Sequence, residues 1–333
     1  CKMIEIPERI EIANLPTRIE KLERLSDKLG GPSIYIKRDD QTGTEFSGNK
    51  IRKLEFSIKE AIDRKCDTII TFGGVQSNHC RATAAVSAKL GLKSYLILRE
   101  NNDIKLDGNL FLDKLFGANI EFINCENYEN EKTEAADKIK EKLKSRGHKV
   151  YTIPSGASNG IGSFGYYKAM QEIIFQEKEL GIHFDKIVIA AGSGGTYSGL
   201  LLGSKIFNYR GEIIGISVSD SREKFKNKVC EILSESVNYI NIPLSFSKDE
   251  IDVLDNYVGE GYGLSSREEL KFINEFAKLE GIILDPVYTG KAMYGLSCEI
   301  AKGKFSDCKN ILFINTGGIF GIFPQKYLFD FSN

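Results

Sequence analysis

Little in this chain of 333 residues leans toward one sign of charge, since 45 lysines and arginines stand against 46 aspartates and glutamates. A net charge of −1 removes any overall electrostatic case for nucleic acid or an anionic membrane as partner. Long apolar runs are missing: none approaches the roughly 20 residues that a bilayer demands, and the N-terminus lacks the apolar core of a signal peptide. The chain opens on Cys1 rather than Met, as a processed or trimmed chain does. Histidine is scarce, at three, and none lies near a second histidine or a cysteine pair, so no metal is expected. Seven cysteines, an odd number without paired spacing, read as reduced thiols in a cytoplasmic protein. Solenoid-period repeats and low-complexity tracts are absent as well.

What is present is an ordinary globular composition, 41% hydrophobic and 27% charged, in a chain longer than one core usually needs. Two domains are therefore expected. A helix is predicted from Thr17 to Leu29, stopped by Gly30-Gly31-Pro32, and a strand from Ser33 to Lys37. Short apolar runs at 68–72, 94–98, 120–123 and 149–153 alternate with helices near 50–63, 78–91, 106–116 and 128–146. Pro154 to Gly160 is the clearest break and reads as a crossing between lobes. Beyond it come strands at 186–191, 212–219 and 310–314 and helices near 160–180, 196–207, 221–236, 266–279 and 291–302. Short strands alternating with helices predict an α/β fold of two lobes, with mainly parallel sheets flanked by helices.

Three stretches carry chemistry. Lys50 follows a Ser47-Gly48-Asn49 turn signal and opens a pattern in which Ile51, Leu54, Ile58 and Ala61/Ile62 share one helix face, with Ser47 as the expected N-cap. A helix dipole and burial both disfavour the ammonium form, and a neutral amine is what imine chemistry requires. By itself the stretch also fits one more solvated cation among 45. Gly192-Ser193-Gly194-Gly195-Thr196 follows an apolar strand and opens a helix, where free N–H groups and the dipole bind an anion. Tyr197 stands where the dinucleotide fingerprint needs its third glycine, and no Gly-Lys-Ser/Thr ending occurs. A single phosphate held by main chain and Thr196 is the better reading; a strand–helix turn that binds nothing is the alternative. Gln76-Ser77-Asn78-His79 also lies at a strand's carboxyl end, where open α/β sheets bind ligands. Its polar groups suit a small carboxylate, a plain cap by Ser77 or Asn78 being the alternative. His79 reads equally as a hydrogen-bonded structural residue.

Taken together, Ser47-Gly48-Asn49-Lys50-x-Arg52-Lys53, Gly73-Gly74-x-Gln76-Ser77-Asn78-His79, Gly192-Ser193-Gly194-Gly195-Thr196, Asp285-Pro286-Val287-Tyr288-Thr289-Gly290-Lys291 and Asn315-Thr316-Gly317-Gly318 occur in one order. From about Leu15 to its end the chain resembles the D-cysteine desulfhydrase and 1-aminocyclopropane-1-carboxylate (ACC) deaminase family of pyridoxal-phosphate enzymes. The resemblance implies a fold-type-II architecture of the tryptophan-synthase β type. Residues 1–46 and 160–333 would form the large cofactor-binding domain, and 47–159 the small domain carrying Lys50 and the carboxylate loop. It implies that Lys50 forms the Schiff base with pyridoxal phosphate, and that Lys53 and the loop of Ser193, Gly194, Gly195 and Thr196 hold its phosphate. Asn78 would hydrogen-bond the ring's phenolic oxygen, while Ser77, Asn78 and His79 fall where family members bind the substrate carboxylate. Tyr288 would stack on the ring and Tyr262 match a second active-site tyrosine, giving a catalytic set of Lys50, Ser77, Tyr262 and Tyr288. A small amino-acid substrate and a homodimer, with no nucleic acid or membrane, complete the picture.

Two positions discriminate within the family. Thr289 stands where ACC deaminases carry glutamate, and Thr316 where they carry leucine. A carboxylate beside the pyridine nitrogen stabilises the protonated ring and strengthens the electron sink, whereas a threonine hydroxyl only shares a hydrogen bond. Opening a cyclopropane with no α-hydrogen needs the stronger sink; removing an α-proton and expelling sulfide does not. The expected reaction is β-elimination of D-cysteine to pyruvate, ammonia and hydrogen sulfide, with freed Lys50 as base at Cα and Ser77 and Tyr288 orienting substrate and proton transfer. L-cysteate sulfo-lyase, ACC deaminase and a non-catalytic small-molecule-binding homologue are the alternatives. Cys80 reads as a small buried residue of its helix.

Overall fold

The computed structural model describes residues 4–100 and 104–332. Regular structure opens with strand β1 (Ile19–Lys21) and helix α1 (Glu23–Leu29), where the sequence predicts one helix from Thr17. The difference has a cause: Ile19 to Lys21 pair antiparallel with β2 (Ser33–Lys37), Ile19 opposite Lys37, and that ladder satisfies backbone groups a helix would have used. Then follow α2 (Lys50–Asp63), β3 (Thr68–Gly74), α3 (Asn78–Leu90), β4 (Lys93–Glu100), α4 (Gly108–Leu115), β5 (Asn119–Asn124), α5 (Tyr128–Lys144) and β6 (Val150–Thr152). The second run holds α6 (Gly160–Leu180), β7 (Lys186–Ala191), α7 (Gly195–Ile206), β8 (Glu212–Ser217), α8 (Arg222–Ser236) and β9 (Asp252–Leu254). It closes with α9 (Arg267–Glu280), α10 (Thr289–Ala301), β10 (Asn310–Ile314) and α11 (Ile319–Ile322). No helix among the described residues is long and apolar enough to cross a membrane.

Two sheets result. One has the order β5-β4-β3-β6 and is parallel throughout; the other runs β1-β2-β10-β7-β8-β9, antiparallel only at the β1–β2 edge. Their central strands are continuous apolar runs because both faces are covered. On β7, Ile187, Ile189 and Ala191 enter one core while Val188 and Ala190 enter another.

Helix α2 joins the two halves. Ile51, Leu54, Ile58 and Ala61 pack with Cys66, Ile69 and Ala82 in the core of the four-stranded sheet, whereas Phe56 belongs to the core of the six-stranded one. Behind α2 lies α6, pressed close enough that a β-carbon on Gly165 would sit 2.5 Å from the Arg52 carbonyl oxygen. The contact is also ionic. Arg52, 1% exposed, donates from Nε and Nη2 to Asp39 at 2.8 and 2.9 Å and from Nη1 and Nη2 to Glu172 on α6 at 3.0 Å each. Lys37, at the end of β2, reaches the same Glu172 at 2.7 Å, and the Tyr166 hydroxyl donates to Asp39 at 2.6 Å. Burial pushes the Asp39 and Glu172 carboxyls up, but Arg52 and Lys37 outweigh it and hold both below the ordinary carboxylate range.

Removing one partner of such a network strands the others in low dielectric. Arg52→Met should therefore cost about 3–5 kcal/mol, read as a drop in the urea midpoint, and a loss under about 1 kcal/mol would contradict the account. Because the two carboxyls sit below their unfolded values, their stabilisation is fully present above the unfolded pKa. It should fade as pH falls below about 4, and the Arg52→Met protein should show a flatter acid limb.

Candidate active site

A cavity of about 330 Å³ lies where the loops after β3, β7 and β10 face the starts of α2 and α3. Parallel sheets place ligand sites at such carboxyl ends. The turn into α2 is pinned from the far sheet. Gly48 has φ +111°, and a β-carbon there would lie 2.9 Å from the Thr316 carbonyl oxygen; one on Gly317 would lie 2.7 Å from the Gly48 α-carbon. Asn49 donates its backbone N–H to Thr316 at 3.1 Å and its side-chain amide to Thr196 Oγ1 at 2.9 Å. Asn49, not Ser47, is the N-cap residue: the Ser47 hydroxyl is turned back to the Asp40 carbonyl at 2.7 Å.

Lys50 is the first residue of α2 and lines the cavity, its Nζ 5.8 Å from the centre of the Tyr288 ring. Burial lowers its pKa to about 8, with nearby Asp285 opposing the shift and Arg81 adding to it. Tyr288 hydrogen-bonds the hydroxyl of Tyr262, whose ring stands 5.8 Å away at 71° and is half-exposed at the mouth. Burial and the Tyr262 neighbour push the Tyr288 phenol up, so it stays protonated.

The glycine-rich turn Ser193 to Thr196 closes another wall. Gly194 takes φ +96°, and a β-carbon on Gly195 would sit 2.6 Å from Ser158 Oγ. Ser158 accepts the Gly195 N–H at 3.1 Å and shares a 2.5 Å hydrogen bond with Ser193, so the lobe crossing supports the loop from behind. Ser193, Gly194 and Thr196 line the cavity; Gly195 does not.

Residues 10–317 match the family of pyridoxal-phosphate dependent enzymes. The chain belongs to that family. The bifunctional D-cysteine desulfhydrase/ACC deaminase of Arabidopsis thaliana is 44% identical over 326 residues, 94% of this chain and 79% of that protein. The D-cysteine desulfhydrase of Yersinia enterocolitica is 39% identical over 332 residues, covering 97% of this chain and 98% of that one. A crystal structure described as an ACC deaminase homologue matches with a TM-score of 0.87 at 38% identity, over 97% of this chain and 96% of the other. These likenesses make the chain a pyridoxal-phosphate-dependent lyase of fold type II.

The residues present fit the cofactor's phosphate and aldehyde. Lys53 is fully buried beside Lys50, and its Nζ has no hydrogen-bond partner. Burial and then Lys50 push its pKa well down, which marks a place short of negative charge, although Lys53 itself stays off the cavity wall. An anion bound in the neighbouring cavity would supply that charge.

At the start of α3 the Ser77 hydroxyl accepts the Cys80 N–H at 3.1 Å, so the simple cap is real and leaves Ser77's own proton free for the cavity. Asn78 lines the cavity too, its Oδ1 taken by Asn109 at 2.9 Å. His79 lines the cavity, but its side chain is buried, 2% exposed, with Nε2 2.7 Å from Thr71 Oγ1. Thr71 spends its proton on the Ile153 carbonyl, so His79 must carry its proton on Nε2, leaving Nδ1 as a bare acceptor. Burial, Lys50 and Lys53 keep the ring neutral. A neutral imidazole with only a lone pair to offer does not hold a carboxylate; what His79 offers there is its N–H at the helix start.

Thr289 also differs from expectation. Its hydroxyl donates to Asp285 Oδ1 and accepts the Asp285 N–H, both at 2.8 Å, and it is fully buried off the cavity wall, whereas Thr316 lines it. Asp285 in turn receives the N–H groups of Val287, Tyr288 and Thr289 at 2.7–2.9 Å. Asn49, Ser158 and Asp285 are the residues sequence reasoning passed over. Two of them stood inside quoted motifs, and Ser158 inside the lobe crossing.

Lys50→Ala should abolish covalent capture of pyridoxal phosphate, measured as the mass added after borohydride reduction; an equal adduct on the variant would point to another lysine. With the cofactor-free wild type, the initial capture rate should rise with pH and be half-maximal near 8, since only the neutral amine adds to an aldehyde.

Proposed function

We propose that this lyase carries out β-elimination on D-cysteine, releasing hydrogen sulfide, pyruvate and ammonia. The observation that carries the choice is the state of the acids around the site. Of the two discriminating motif positions, Thr289 stands where ACC deaminases carry glutamate and Thr316 where they carry leucine, so neither brings an acid to strengthen the electron sink. The buried acid of the same motif, Asp285, is already saturated by three N–H groups and the Thr289 hydroxyl. The carboxylates that do reach the cavity wall, Glu129 and Asp220, are committed to Lys132 and to Lys224 and Lys228. Such a site suits removal of an α-proton followed by loss of a good leaving group. Two relatives whose names include D-cysteine desulfhydrase support the same reading.

Bound pyridoxal phosphate supplies the electron sink that makes the substrate's Cα–H acidic. The chain's own residues do the rest. Lys50, kept partly neutral by burial, holds the cofactor and then takes the Cα proton. The Ser77 hydroxyl and the N–H groups of Asn78 and His79 at the start of α3 hold the substrate carboxylate. The Tyr288 phenol, steadied by Tyr262, faces Lys50 and keeps its proton, so it serves as the acid for sulfur leaving Cβ with its bonding pair. Asn78, whose Oδ1 is taken by Asn109, would offer its amide N–H to the ring's phenolic oxygen. Ser193, Gly194 and Thr196 would hold the phosphate with Lys53 supporting its charge, and Thr316 would offer its hydroxyl to the pyridine nitrogen. The released three-carbon enamine takes up water and becomes pyruvate and ammonia.

Purified protein offered D-cysteine, L-cysteine, ACC and L-cysteate in parallel should release sulfide and pyruvate from D-cysteine most rapidly. Sulfide from L-cysteine alone, or efficient 2-oxobutanoate formation from ACC, would overturn the assignment. Tyr288→Phe should lower kcat on D-cysteine by about 10²-fold or more, the usual loss of a general acid.

A further inference from the structure

Asn78 presents one of two chemically opposite faces to the cavity, and something must choose between its N–H and its carbonyl. Arg81, one turn along α3 and wholly buried, is immobilised by the Glu45 carbonyl at 2.7 Å and the Ser47 carbonyl at 2.8 Å. Its guanidinium also lies 5.1 Å from the centre of the Phe320 ring. A guanidinium can only donate, so the Asn109 oxygen, 3.0 Å from Arg81 Nε, must face it. The Asn109 amide nitrogen is thereby aimed the other way, where its two protons go to the Gln76 carbonyl and to Asn78 Oδ1, each at 2.9 Å. The Asn109 backbone N–H adds a 2.9 Å bond to Gln76 Oε1, so its place on α4 is fixed as well. With Asn78 Oδ1 consumed, only the Asn78 amide protons remain for the cavity, and they have no partner among the described residues.

We infer that Asn109, oriented by Arg81, is a positioning residue that sets the polarity of Asn78, so that the cavity meets a donor and never an acceptor. The proposal rests on the reading that Asn78 faces the cofactor's phenolic oxygen. A donor there draws electron density from that oxygen, which then holds the neighbouring imine proton less tightly. An acceptor in its place would repel the oxygen's charge and tighten that proton. Besides Arg81, the charged or titratable side chains near the relay include Lys50, Lys53, His79, Cys80, Asp107 and Asp113. Burial pushes Asp113 up to about 8 against the pull of Arg81, and neither of its oxygens has a partner, so it does not divert the guanidinium from Asn109.

The test is a pH titration of the visible absorbance of cofactor-loaded wild type, Asn78→Ala and Asn109→Asp, with pyridoxal-phosphate affinity measured alongside. Aspartate keeps the size of Asn109 and an oxygen for Arg81 but has no proton for Asn78, whose amide is then free to turn over. The midpoint should rise by about one pH unit in both variants, the scale of one hydrogen bond. If Asn78→Ala moves the midpoint and Asn109→Asp leaves it at the wild-type value, the relay is refuted even if affinity falls, because weaker binding alone is what a merely structural role gives. If neither variant moves it, the reading of Asn78 fails and the relay with it. Should Asn109→Asp not fold, Asn109→Ser, whose short hydroxyl reaches neither partner, carries the same expectation.

Discussion

The grip of Arg52 on Asp39 and Glu172 is the interaction on which the rest of the molecule depends. It comes two residues after Lys50, and it binds a helix whose apolar face belongs to one sheet to acids that belong to the other. A buried network of this kind adds little net stability over an apolar replacement, but it admits one geometry. Here that geometry puts the first turn of α2 against α6, with Gly165 leaving no room for slack. The amine of Lys50 is thus delivered from the seam between the two halves, and the same seam opens into the cavity.

Around the amine the protein sorts acids from bases by environment alone. Burial makes Lys50 a weak enough cation to lose its proton near neutrality, while burial also makes Tyr288 a strong enough acid-holder to keep its own. His79 is close to both lysines yet stays neutral and buried, so it adds no competing charge. The Asp285 carboxylate is present but occupied, its oxygens taken by the N–H groups of Val287, Tyr288 and Thr289 and by the Thr289 hydroxyl.

Much of the scaffold was legible in the residues. The apolar runs that became β3, β4, β7 and β10, the one-sided pattern of α2 and the glycine turn before α7 all report local preferences, and local preferences survive folding. Strands β1 and β9 have three residues each, too few for an alternation to register, and β1 exists only because β2 lies beside it. Side-chain direction was the part that could not be read. Whether His79 faces substrate or core is decided by Thr71 and by Ile153, 82 residues beyond it. Thr289 is drawn off the cavity by the acid four residues before it, a contact that needs the turn to exist first. Arg52 and Asn109 gave no signal because their partners on Glu172 and Asn78 lie 120 and 31 residues away.

The meeting of Gly48 with Gly317 has a consequence for how such a sequence can vary. Two bare backbones touch there, one from the turn that sets Lys50 and one from the loop after β10. A methyl on either must force the same two loops apart, and once they have parted a methyl on the other meets less resistance. Substitutions at these positions are therefore epistatic, the pair costing less than the sum of its singles. Each glycine guards the other, and drift at one site is closed off by the presence of its partner.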